Sequence, residues 1–107
     1  MIFIITFKDQ SSTLLSATTW SDAAAYSEGT GKEITTISQL SFSPTLIINS
    51  PLSNNFYQLI LENNTTGEKT IYFILEDNYQ SLISWIEQQS NSQIISLNNQ
   101  QRNYVSL

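Results

Sequence analysis

The chain has 107 residues, enough for one shared core but not two, because separate pieces of about fifty residues would each fall below comfortable independent stability. Nine carboxylates against four basic residues give a net charge of −5, and Lys8, Lys32, Lys69 and Arg102 stand singly, which argues against nucleic acid or an acidic membrane surface as partner. Cysteine and histidine are absent, which excludes a disulfide framework, a zinc–thiolate site and a thiol nucleophile, and removes the commonest general base.

The apolar start, Met1–Ile5, is too short for a signal-peptide core or a membrane span, so the expected setting is the cytoplasm or a viral particle. Ile2–Lys8 reads instead as a first strand, apolar on both alternating faces. Asp9-Gln10-Ser11-Ser12 supplies a polar turn, and Thr13–Thr19 returns as a second strand. Ser21 is the expected N-cap of a short helix over Ser21–Glu28, with Asp22 set against the positive end of its dipole and Gly29 as its stop. Glu33–Leu40 follows as a strand, and the three-residue spacing of Ile34, Ile37 and Leu40 predicts a bulge or break. Ser43-Pro44 ends that run, and Leu46–Ile48 forms a brief apolar segment.

Asn49–Asn55 is polar apart from Leu52 and reads as a linker. Beyond it the order of elements recurs. Phe56–Glu62 and Glu68–Leu75 alternate as strands around Asn63-Asn64-Thr65-Thr66-Gly67, a hairpin loop whose overlapping glycosylation sequons read as turn residues. Asp77 is the expected cap of a helix over Asp77–Gln89, with Gln80 completing a capping box. Tyr79, Leu82, Ile83 and Ile86 form its apolar stripe, expected against Leu59, Leu61, Ile71 and Phe73. Gln93–Leu97 and Tyr104–Leu107 are the closing strands. The fold class expected is α+β: a single domain of two pseudo-symmetric β-β-α-β repeats, 1–48 and 55–107, joined by linker 49–54, with mostly antiparallel sheet and one helix per repeat.

Chemistry is sparse. Gly29-Thr30-Gly31-Lys32-Glu33 echoes the end of a phosphate-binding loop but lacks the upstream glycine and the Ser or Thr, and lies between helix and strand rather than the reverse. Glu76-Asp77 and Glu62 with Glu68 stand at a junction and at a hairpin, and no calcium-loop pattern is present. No catalytic, metal or cofactor residue is therefore assigned, and a non-enzymatic protein is expected. Trp20 and Trp85 are the residues a ligand-binding module would use for aromatic stacking, although each lies near a helix where core-edge packing is the simpler role.

The stronger signal is surplus apolar surface. With one helix per repeat, the strand faces carrying Ile2, Ile4, Phe56, Ile60, Tyr72 and Ile74 need another cover, from within the chain or from a protein partner. Outer strands rich in neutral polar residues also lack charged protection against pairing. The expected function is that of a structural or interaction protein that self-associates or docks on a larger assembly. In composition the chain is similar in style to small accessory virion proteins of tailed phages.

Overall fold

The computed structural model describes residues 1–42 and 44–107. It is α+β, with two four-stranded sheets and two helices. Contacts divide the chain into one unit of Met1–Ser43 with Arg102–Leu107 and another of Pro44–Gln101.

In the first unit the strands are β1 (Ile2–Phe7), β2 (Ser12–Ser16), β3 (Ile34–Gln39) and, from the far end of the sequence, β8 (Asn103–Ser106). Their order is β3-β1-β2-β8; β1 is antiparallel to β2 and β3, whereas β8 lies parallel to β2. The β1–β2 turn forms as its polar residues demand: the Asp9 carboxylate accepts the Ser11 amide, and Gln10 takes a left-handed φ of 71°. Helix α1 (Trp20–Gly29) covers one face, packing Ala23 and Tyr26 on Phe3, Ile5, Phe7, Leu15 and Ala17. Its cap is Thr19, two residues ahead of the expected Ser21, because Thr19 is extended and its hydroxyl accepts the Asp22 amide. The left-handed turn after the helix falls on Gly31 at φ 73°, with Gly29 still inside the helix. β2 stops at Ser16 rather than Thr19, since Thr19 is taken by the cap.

The second unit contains β4 (Thr45–Ile48), β5 (Phe56–Asn63), β6 (Lys69–Leu75) and β7 (Ser92–Asn99), in the order β4-β6-β5-β7. Here β5 is antiparallel to β6 and β7, and β4 is parallel to β6. The β5–β6 hairpin closes as expected: Asn63 Oδ1 accepts the amides of Thr65 and Thr66, and Gly67 turns the chain at φ 73°. Helix α2 (Tyr79–Glu87) is capped by Asn78, whose side chain accepts the amides of Gln80 and Ser81; Asp77 is therefore not the cap and Gln80 completes no capping box with it.

Leu82 and Ile86 of α2 are buried against Tyr57, Leu59, Leu61 and Ile74, with Tyr72 and Leu97 beside them. This corrects the expected phase of β6. Leu59 and Leu61 do face the helix, but their partners on that face are Tyr72 and Ile74, because Leu59 pairs with Tyr72 and Tyr57 with Ile74. Ile71 and Phe73 alternate to the other face.

Residues 49–54, read as the join between repeats, lie inside the second unit. The chain there crosses the end of β6: Asn49 and Ser50 amides donate to the Leu75 carbonyl, and Ser53 is buried. The break expected at Ser43-Pro44 involves Ser43, which lies outside the described residues.

The two sheets share one plan. In each, the second strand of the hairpin carries a parallel neighbour, and the first carries the strand that follows the helix. The bulge expected near Ile34 is present, and it recurs. Phe7 pairs with Ile34 but Thr6 with Thr36; Leu61 pairs with Ile94 but Ile60 with Ser96. Thr35 and Ile95 are thus the extra residues, at the same register position in both sheets.

Candidate functional site

Among the outer strands β3, β8, β4 and β7, the last is the longest at eight residues. Its sequence, Ser92-Gln93-Ile94-Ile95-Ser96-Leu97-Asn98-Asn99, forms a strand because β5 offers an antiparallel partner from Asn63 back to Tyr57. Within its sheet β5 occupies one side of it, and among the described residues no strand pairs with the other side. The bulge sets two isoleucines side by side at this edge, Ile94 at 51% and Ile95 at 45% exposure. Neither β7 nor the residues from Gln88 to Gln101 include a charged group. Glu62 of β5 accepts from Gln93 Nε2 at 2.8 Å.

The residues expected to need a cover, from within the chain or from a partner, are buried to different degrees. Phe56 and Ile74 are buried, Tyr72 sits edge-on against Trp85 at 5.1 Å between ring centroids, and Ile2, Ile4 and Ile60 are half-buried. Tyr72 and Ile74 belong to the α2 face, as above. Leu14, Phe56 and Leu75, on the faces away from the helices, are buried as well.

The two indoles also part company. Trp85 packs in the α2 cluster, which is the core-edge role. Trp20 remains 49% exposed, but its ring stands edge-on to Phe3 at 4.9 Å and its Nε1 donates to Gln39 Oε1 at 3.2 Å. Sequence reading noted β7 without giving it a role; the adjacent isoleucines in an uncharged run were the signal that could have singled it out.

Charged groups gather elsewhere. Lys8 meets Glu33 at 2.9 Å and Lys32 meets Asp9 at 3.3 Å, both on the surface, with Lys32 also 5.3 Å from the centre of the Phe7 ring. Hydrogen bonds from the Ser11 hydroxyl and amide, helped by Lys32, hold the Asp9 carboxyl below its ordinary value. Burial pulls the Arg102 guanidinium down. The junction Glu76-Asp77 is structural: Glu76 is buried and accepts the Asn78 amide at 3.0 Å, while the Asp77 amide donates to Ser50 Oγ at 3.1 Å. The Gly29–Glu33 string is the helix-to-strand turn, with the Thr30 hydroxyl donating to the Ser27 carbonyl. Among the described residues no three His, Cys, Asp or Glu side chains stand close enough to hold a metal, and no helix is long and apolar enough to cross a membrane.

No family model, curated protein or solved structure matches the chain.

Proposed function

We propose that the chain is a non-catalytic interaction protein that works by pairing the open edge of β7 with a strand of another protein molecule. The observation that carries this reading is the pair Ile94 and Ile95, about half exposed on an outer strand without charge. Outer strands are guarded by lysine, proline, an inward charge or a bulge; β7 carries the bulge at Ile94 and Ile95 but no lysine, proline or charge. A second copy of the chain is the partner that suits it. Run antiparallel across a two-fold axis, β7 presents Asn, Gln and Ser side chains, which both donate and accept, with no like charges opposed.

We also read the two units as copies of one β-β-α-β plan. The coincident bulges and the matching parallel neighbours support that reading. The copies then differ at the position that matters, Thr35 in one and Ile95 in the other.

The cysteine-free chain makes a clean test possible. Ile95→Cys, treated with a short thiol–thiol cross-linker, should give a covalent dimer, whereas Thr35→Cys at the equivalent position should stay monomeric. Equal yields from both variants, or none from Ile95→Cys, would count against the proposal.

A further inference from the structure

Each sheet is completed by a strand from the other half of the sequence. β4, which ends the first half, lies parallel to β6, with Thr45–Ile48 opposite Tyr72–Leu75. β8, which ends the second half, lies parallel to β2, with Asn103–Ser106 opposite Thr13–Ser16. Slot, direction and length are the same in both.

Neither half can fill its own slot. A strand in that slot runs parallel to β2, and β3 also runs parallel to β2, because both are antiparallel to β1. Joining two parallel strands of one sheet takes a crossover of about a dozen residues or more. The chain offers only residues 40–44 between β3 and β4, and only 100–102 between β7 and β8. The same reasoning holds for β7 and β6 in the second sheet. With links this short the donor must be the other half.

The edges that receive these strands are apolar and covered: Leu14 and Leu15 on β2, and Ile74 and Leu75 on β6, are all but fully buried. Leu46 and Ile47 are set opposite Phe73 and Ile74, and Tyr104 and Val105 opposite Leu14 and Leu15.

We infer that each half of the chain is a strand acceptor for the other, so that the two halves form a complementing pair that holds together without a peptide bond between them. The strand that fits the β2 or β6 edge is short, carries two central apolar residues and enters parallel. This inference is independent of the pairing assigned to β7.

The test is to cut the full chain between its halves. Leu52 is 98% exposed, so a site-specific protease sequence inserted after it can be cleaved in the folded protein. The same protease sequence inserted after Asn54, which is also exposed, gives the same readout if the first insertion disturbs folding. The cut protein should elute in native buffer as one species of the intact mass and separate only in denaturant. The amides of Asn49 and Leu107, which donate to the Leu75 and Ser16 carbonyls, should exchange within about tenfold of their rates in the uncut chain, as persisting strand pairing requires. Fragments that part in native buffer overturn the inference. So do fragments that stay together while those amides exchange freely, because another contact would then be holding them.

Discussion

Ile34 and Ile94 hold the same place in the two sheets, each opposite the residue where a bulge shifts the register, yet their surroundings differ. Ile34, opposite Phe7, packs with the α1 cluster beside Tyr26; Ile94, opposite Leu61, is half exposed. The two sheets match in strand order and differ at this edge. The first sheet turns its isoleucine inward and presents Thr35 and Thr36 at the edge, while the second leaves Ile94 and Ile95 open. That contrast is why β7, and not β3, is taken as the interaction edge.

The helix caps make a discriminating pair of substitutions. Asn78→Ala removes the acceptor for the Gln80 and Ser81 amides and should cost about 1 kcal/mol, as loss of an N-cap does. Asp77→Ala, one residue earlier, should cost less than about 0.5 kcal/mol, as exposed surface changes do. Urea unfolding followed by circular dichroism measures both.

Gly67 tests the hairpin. Its φ of 73° suits glycine, and a Cβ there would meet nothing within 4 Å. Gly67→Ala should therefore destabilise through backbone conformation alone, by about 1–2 kcal/mol in the same unfolding measurement.

Acid should reveal Asp9. Its carboxyl is held below the ordinary value of 3.8, chiefly by the Ser11 hydroxyl, so its contribution is present above that pH and is lost as pH falls through the lower folded value. The denaturation midpoint of the native chain should exceed that of Asp9→Asn at neutral pH. The gap should close with acidification below 3.8, and it should be small because the group is fully exposed.

The crossing over β6 offers a test of strand exchange between molecules. β4 and β5 flank β6, so the chain from Ile48 to Phe56 must span two inter-strand spacings, about 10 Å. Deleting residues 49–55 makes Ile48 and Phe56 neighbours, about 3.8 Å apart, which a single chain cannot reconcile with that geometry. Two copies can, if each lends its strands to the other. With Ile95→Lys also in place, so that β7 pairing is blocked, the deleted protein should still elute as a dimer of native-like circular dichroism, by the route that shortened hinge loops open.

Local structure was legible where a few neighbouring residues decide it. The polar turn at Asp9, the Asn63–Gly67 hairpin and the bulge beside Ile34 follow from side chains that act on their own backbone or from broken alternation. The caps were misplaced by one or two residues because Thr19, Ser21, Asp77 and Asn78 are all competent acceptors, and only the backbone conformation selects among them. β6 is apolar at five consecutive residues, Ile71 to Leu75, so alternation carried no phase and the pairing with β5 had to set it. The exchange of β4 and β8 was not legible at all. Four residues such as Thr45–Ile48 name a strand but not its partner, and the partner lies across the sequence.

The pairing of β7 is the central claim, and light scattering coupled to size exclusion over a range of concentrations tests it most directly. The native chain should pass from 12.1 kDa to twice that mass as concentration rises. Ile95→Lys should stay at the monomer mass while its unfolding free energy changes by less than about 0.5 kcal/mol, as expected of an exposed site. A native chain that remains monomeric throughout, or an Ile95→Lys variant that dimerises as the native chain does, would contradict the account.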